Sequence, residues 1–112
     1  MVVQGAVPAN VQLSRVSIDG ATSGVEILSA GEVNIERLSV ANAVIGLSVG
    51  APGSVVTIDR SSIEASADTI NGGSSAAVFV GNTKLDGPTV PFGQTCVGVY
   101  DGNYAPLDSN CQ

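Results

Sequence analysis

The chain of 112 residues contains no histidine and no tryptophan, and two tyrosines and two phenylalanines are its only aromatic residues. Without histidine it has no Ser-His-Asp triad and no side chain that ordinarily titrates near neutrality. Four basic residues against a net charge of −6 exclude a nucleic-acid partner. The chain also lacks any apolar run near the roughly 20 residues that span a bilayer, so no membrane span is predicted.

A signal peptide is also missing from this chain, because residues 1–5 offer neither a basic start nor an apolar centre. If the protein is exported, its signal has been removed or lies upstream. The length suits one domain, which we place at residues 1–112.

What the sequence does contain is a repeat built around its three arginines. The copies are Val11-Gln-Leu-Ser-Arg15-Val-Ser-Ile18, Val33-Asn-Ile-Glu-Arg37-Leu-Ser-Val40, Val56-Thr-Ile-Asp-Arg60-Ser-Ser-Ile63 and a divergent Val78-Phe-Val-Gly-Asn82-Thr-Lys-Leu85. Their spacings are 22, 23 and 22 residues. A fixed period of this size indicates a solenoid.

Within each copy the first and third positions are apolar, which is the alternation of a strand with one buried face. The apolar phase changes after the arginine, as expected at a tight corner between two short strands. A further apolar patch follows at a constant offset, for example Gly24-Val-Glu-Ile27 and Gly46-Leu-Ser-Val49. Each period therefore predicts three short strands separated by turns.

Three strands in about 22 residues predict one coil of a single-stranded parallel β-helix in an all-β fold. Four to five such coils fit the chain. Two columns of side chains are predicted to stack inside them: Val11, Val33, Val56 and Val78, and Ile18, Val40, Ile63 and Leu85. A leucine-rich repeat is disfavoured because Gly and Ser occupy the intervals where its return helix would lie.

Both cysteines, Cys96 and Cys111, lie near the C-terminus. Their spacing fits no zinc site, and no histidine is present to complete one, so a disulfide is predicted, with two free thiols as the alternative. A disulfide implies an oxidising compartment and a secreted, cell-surface or periplasmic protein.

The repeat resembles that of the secreted bacterial right-handed parallel β-helix proteins of the pectate-lyase-like type. Their pattern V-x-I-x-N-x-x-I places Asn at the corner, where this chain has Asn82 and, as departures, Arg15, Arg37 and Arg60. The ending Lys84-Leu-Asp-Gly followed by Thr95-Cys-Val-Gly-Val-Tyr resembles tails of uncharacterised members. The resemblance implies a right-handed coil and no particular activity.

Residues 86–112 are predicted to cap the repeats of residues 1–85, with Cys96–Tyr100 as a last strand and the remainder folded back. Caps are needed because the end of a β-helix exposes unpaired backbone groups. At the other end, Val2-Val3 offers a bare strand and no covering helix. Either further coils precede it in a longer protein, or the N-terminal coil self-associates with another subunit.

Stacking of the coils predicts a charged patch in which Glu36 and Asp59 lie about 5 Å apart, beside Arg37 and Arg60. Paired carboxylates at this separation match a retaining glycosidase, or a Ca²⁺ site beside an arginine base in a polysaccharide lyase. The alternative is that the acids and arginines of adjacent columns neutralise one another. We favour this alternative and therefore assign no catalytic residue and no cofactor. Ca²⁺ is the one ligand that the polysaccharide-lyase hypothesis would add.

Three weaker candidates complete the set. The serines Ser17, Ser39 and Ser62 form a column, Asp101-Gly-Asn103 is a turn or half of a calcium loop, and Tyr100 and Tyr104 pack the cap or stack on sugar. The leading hypothesis is a non-catalytic structural or surface module, such as a spacer, adhesin or assembly element. A carbohydrate-binding module and a polysaccharide lyase or glycosidase fragment, both with polysaccharide as partner, are the alternatives.

Overall fold

The computed structural model describes residues 2–3, 9–28, 31–50, 53–72, 77–89 and 94–112, so Pro91 and Phe92 lie outside the described residues. The strands are β1 Val2–Val3, β2 Ala9–Ser14, β3 Ser17–Asp19, β4 Ser23–Ile27, β5 Gly31–Glu36, β6 Ser39–Val49, β7 Val55–Asp59, β8 Ser62–Gly72, β9 Ala77–Gly81, β10 Lys84–Asp86, β11 Thr95–Val97 and β12 Tyr100–Asp101. Across these ranges no helix has the length and apolar character needed to cross a membrane.

The strands form two parallel sheets that the chain visits in turn. The short sheet has five strands in the order β11-β9-β7-β5-β2. The long sheet has seven, in the order β1-β4-β6-β8-β10-β12, with β3 also paired to β6. Because each strand pairs with one a coil away, the chain is a parallel β-solenoid whose stacked coils lie about 22 residues apart, and the predicted all-β fold is confirmed. The right-handed winding stays a prediction.

The predicted interior columns are confirmed by the strand register. Val11 pairs with Val33, Val33 with Val56 and Val56 with Val78. The second column pairs in the same way through Ile18, Val40, Ile63 and Leu85. The members from Val33 onward are at most 2% exposed. Each such side chain contributes roughly 1.5–3 kcal/mol by leaving water, and the columns together form the core.

In the two central coils the second and third predicted strands are continuous. The strands β6 and β8 have 11 residues each. Their pairing shifts register between Val40 and Ala43 and again before Ile45. Each long strand therefore follows the bend of the coil through irregular pairing, where the sequence pattern predicts a break between two strands.

The arginine corner adopts a left-handed backbone in every copy. The φ angles are 56° at Arg15, 57° at Arg37, 49° at Arg60 and 45° at Asn82. Each of these residues donates its backbone N–H to the next coil, as Arg37 does to the Asp59 carbonyl at 3.1 Å. This inter-coil bond offsets part of the roughly 1–2 kcal/mol that a left-handed conformation costs a residue other than glycine.

A fifth corner lies at Gly98, whose φ is 66°. Strand β11 pairs with β9, and Cys96 occupies the interior position below Val80. The sequence pattern predicts a strand here but not its alignment with the repeat, because Gly98 follows Asn82 by 16 residues. The buried Gln94 stands where the other coils have valine, and its Nε2 donates to the Asn110 carbonyl at 2.9 Å.

The last residues fold back over this fifth coil. Cys96 and Cys111 form the predicted disulfide, with their Cα atoms 5.5 Å apart. The backbone N–H of Cys96 donates to Ser109, and that of Leu107 donates to Val99, both at 2.8 Å. These bonds occupy backbone groups at the end of the stack, which is the function of a cap.

At the opposite end the interior columns are less covered. Val11, Leu13, Val16 and Ile18 are only partly buried, whereas their counterparts in the next coil are buried. Strand β2 is the edge of the short sheet, with no further strand paired to it among the residues described. Upstream coils or a second subunit at this edge remain predictions.

Candidate functional site on the short sheet

The outer face of the short sheet carries two columns of outward side chains in register. One column is Gln12, Asn34, Thr57, Phe79 and Thr95, and the other is Ser14, Glu36, Asp59, Gly81 and Val97. They arise because alternate residues of a strand point to opposite faces. The face is mainly polar and acidic near the N-terminal coils and apolar near the cap.

The four predicted site residues lie together on this face. Glu36 and Asp59 are paired across β5 and β7, so their backbones are about 4.8 Å apart. Their side chains are 37% and 38% exposed. Arg37 and Arg60 are the corner residues that directly follow these two strands, and they are more exposed still.

Arg60 lies between the two carboxylates. Its Nη1 is 3.3 Å from Glu36 Oε1, and its Nε is 3.5 Å from Asp59 Oδ2. Arg37 Nε is 3.9 Å from the same Glu36 oxygen. Arg60 thus compensates Glu36 of the preceding coil and Asp59, its neighbour in the chain, as the charge-compensation interpretation predicts. Exposed pairs of this kind contribute about 0–1 kcal/mol each.

Asn82 continues the same arrangement one coil further on. Its Nδ2 donates to Asp59 Oδ1 at 3.1 Å, so the amide takes the position that Arg60 holds relative to Glu36. The corner column therefore supplies a hydrogen-bond donor to the acid of the preceding coil in two successive coils.

A depression of about 320 Å³ follows these charges, lined by Gln12, Asn34, Ile35, Glu36, Thr57, Asp59 and Arg60. It is open to solvent on the outer face of the sheet. A retaining glycosidase needs one carboxylic acid to protonate the leaving group and one carboxylate to attack. Here Glu36 faces both Arg37 and Arg60, and Asp59 faces Arg60, which is the arrangement expected for charge compensation between coils.

Phe79 is the residue of this face that sequence reasoning missed. It pairs with Thr57 and is 46% exposed. Aligning Val78-Phe-Val-Gly with Val56-Thr-Ile-Asp places Phe79 in the outward column, so the signal was present in the repeat. An aromatic ring therefore lies one coil from Asp59, on the same surface.

The serine column Ser17, Ser39 and Ser62 lies on the exposed face of the long sheet. A buried pair of hydroxyls lies next to it instead, at Ser61 and Thr83. Ser61 Oγ donates to the Asp59 carbonyl at 2.9 Å and accepts from Leu38 N at 3.1 Å. Thr83 Oγ1 donates to the Gly81 carbonyl at 2.7 Å. These hydroxyls support the corners, so their role is structural.

The remaining candidates belong to the cap. Asp101 Oδ1 accepts from the backbone N–H groups of Asn103 at 2.8 Å and Ala105 at 3.0 Å, the geometry of an Asx turn. Tyr104 stacks on Tyr100 with ring centroids 5.3 Å apart, and Lys84 Nζ lies 5.1 Å above the Tyr104 ring. The two rings contact each other, but Tyr104 is 70% exposed, so cap packing and sugar stacking both stay predictions.

Comparisons with protein-family models, with curated proteins and with solved structures found no match to this chain. The class of protein is defined by its own geometry: a parallel β-solenoid with a disulfide-closed C-terminal end and one flat, charge-compensated sheet face.

Proposed function

We propose that this protein is a non-catalytic structural module, a rigid β-solenoid that works outside the reducing cytosol as a spacer, adhesin element or assembly unit. The observation that carries the proposal is the position of Arg60 between Glu36 and Asp59. The acid pair that would be needed for catalysis is used to neutralise the charges of neighbouring coils. The resemblance to pectate-lyase-like proteins enters as part of the proposal, as a relationship of fold.

Support for an exported location comes from the Cys96–Cys111 disulfide, because such bonds persist in oxidising compartments. Support for rigidity comes from the stacked core, in which Val56, Ile58 and Ile63 are 0% exposed. A close-packed interior of this kind transmits load with little deformation.

Activity assays against acidic and neutral polysaccharides test this proposal. Unsaturated products, measured by ultraviolet absorbance with Ca²⁺ present, report a lyase, and new reducing ends report a hydrolase. We expect neither. Turnover by the wild type that Glu36→Gln and Asp59→Asn abolish, while Ser14→Ala retains it, would contradict the proposal and establish an enzyme.

A second candidate function is carbohydrate binding without catalysis. The observation that favours it is the outward position of Phe79 in one column with Gln12, Asn34 and Thr57. An aromatic platform beside amides and hydroxyls is the residue set that recognises sugars. A glycan array tests this candidate: retention of a glycan supports it, whereas a module that serves only as a spacer or assembly unit retains none.

A further inference from the structure

We propose that the depression around Gly81 binds one pyranose ring of a neutral oligosaccharide. We call this depression the Gly81 niche; its outward residues are Thr57, Asp59, Phe79, Gly81, Thr95 and Val97. Its volume of about 330 Å³ lies at the lower end of small-molecule sites. This assignment rests on the carbohydrate-binding candidate and is independent of the structural role.

The floor of the niche is a glycine that the fold does not require. Gly81 is absent from the glycines with positive φ. A Cβ built on it would lie 3.4 Å from Asp59 Oδ1 and 3.8 Å from the Val97 carbonyl, which is ordinary contact. Neither backbone conformation nor packing explains the missing side chain, and its absence opens a gap between Asp59 and Val97.

One wall of the niche is apolar. Phe79 and Val97 are 46% and 72% exposed. Phe79 precedes Gly81 by two residues on strand β9, and Val97 pairs with Gly81 from strand β11 of the next coil. The C–H face of a pyranose ring can stack on the phenyl ring, because an aromatic face attracts the weakly positive C–H groups. A sugar seated there would cover apolar surface that now faces water.

The facing wall offers hydrogen-bond acceptors. Asp59 Oδ1 accepts from Asn82 Nδ2 at 3.1 Å, and Oδ2 faces Arg60 Nε at 3.5 Å. A carboxylate has about four acceptor positions, so two stay available to hydroxyl groups of a ligand. Bonds from hydroxyls to a charged carboxylate are shorter and stronger than neutral ones. Asp59 is thus held in place by its neighbours and can bind a diol.

Charge selects a neutral ligand. Arg60, the cation nearest the niche, already contacts the carboxylates of Glu36 and Asp59, and the chain has a net charge of −6. A uronic acid in the niche would place another carboxylate beside Asp59 without a free cation to compensate it, and like charges in contact repel. Neutral hexoses avoid this repulsion.

Titration of ¹⁵N-labelled protein with cellohexaose and with mannohexaose, followed by amide chemical shifts, tests the assignment. We expect saturable shifts centred on Phe79, Gly81 and Val97 for at least one of them. Phe79→Ala should raise the Kd about tenfold through lost stacking. Gly81→Ala should raise it about fivefold, since its methyl group occupies the floor without straining the fold. Val44→Ala, on the long sheet and of similar exposure at 45%, should leave the Kd unchanged.

The contrary outcomes are distinct. Absence of shifts with both neutral hexasaccharides overturns the niche and the carbohydrate-binding candidate together, and leaves the structural proposal in place. Shifts centred on the long sheet, or on Arg37, overturn the niche alone. Tighter binding of hexagalacturonate than of either neutral probe overturns the choice of a neutral ligand. Shifts at Phe79 and Val97 that depend on protein concentration without sugar assign the surface to a second copy of this chain and overturn the proposal.

Discussion

Asp101 and Asp108 head two copies of the same turn. In each copy the aspartate Oδ1 accepts from the N–H groups two and four residues later, at 2.8 and 3.0 Å. In each the aspartate carbonyl accepts from the residue three positions later, at 3.0 Å, and this residue, Tyr104 or Cys111, has a left-handed backbone. The cap is therefore a tandem of two Asx-stabilised turns, and the second turn holds Cys111 in position for the disulfide.

Replacing the second aspartate should loosen the cap. Asp108→Ala removes the acceptor of two backbone N–H groups, and we expect the free energy of unfolding to fall by about 1–3 kcal/mol. Urea denaturation measures this change. Asp108→Asn retains a side-chain oxygen and should lose less, and Ser109→Ala, in the same turn, should change stability little. Equal losses for the alanine and asparagine variants would show that charge rather than hydrogen bonding holds the turn.

Removing the disulfide should also destabilise the protein. The bond closes a loop with a sequence separation of 15 residues, for which chain entropy predicts about 3 kcal/mol. Denaturation of a Cys96→Ser, Cys111→Ser double variant against the wild type, with and without reductant, measures the effect. Reductant should lower the free energy of unfolding of the wild type and leave that of the double variant unchanged. A thiol titration of the unfolded, non-reduced wild type should find no free sulfhydryl, and two free groups would contradict the prediction.

The left-handed corner predicts a stabilising substitution. Arg15 has φ 56° and lies beside Ser14 rather than an acid, so its side chain takes no part in the ion pairs formed by Arg37 and Arg60. Arg15→Gly should raise the free energy of unfolding by about 0.5–1 kcal/mol, the relief of strain less the greater entropy of glycine in the unfolded chain. Ser14→Gly, one residue earlier in strand β2, should lower it. Both are measured by chemical denaturation, and a loss of stability in Arg15→Gly would refute the strain argument.

The ion pairs at Arg60 should contribute little. A double-mutant cycle with Arg60→Gln and Glu36→Gln should give a coupling energy of about 0–1 kcal/mol, smaller again at high salt because the side chains are exposed. A coupling energy well above this range, insensitive to salt, would mean that the pair is held far more rigidly than its exposure implies.

Much of this architecture was predictable because the repeat carries it. The interior columns follow from alternation within one copy, and the corner follows from the change of phase after Arg15, Arg37 and Arg60. The predicted meeting of Glu36 and Asp59 needed only the period, since equal positions in successive copies must stack. At these positions local sequence and long-range structure agree.

The parts that escaped prediction are those where side-chain identity departs from the repeat. The fifth coil was not aligned because the buried Gln94 replaces valine and bonds to Asn110, a partner that only the folded cap supplies. The Gly81 niche depends on an absent side chain, whose meaning appears only when Phe79, Asp59 and Val97 are seen around it. A residue that differs from the repeat in one copy only has no periodic signal, so its role becomes visible only in the folded structure.

Close packing between the coils gives the last prediction. A Cβ on Gly46 would lie 2.5 Å from the Thr69 carbonyl oxygen and would collide with the Ile63 side chain. Gly46→Ala should therefore force the strands of adjacent coils apart and lower the free energy of unfolding by about 1–3 kcal/mol. Gly50→Ala is the matched control, since the nearest atom to its Cβ would be the Ile27 carbonyl oxygen at 3.7 Å. Thermal and urea denaturation of the two variants should separate them clearly. Equal free energies of unfolding for the two variants would contradict this prediction, because they would mean that β6 and β8 move apart at no cost. A close-packed core resists such a movement.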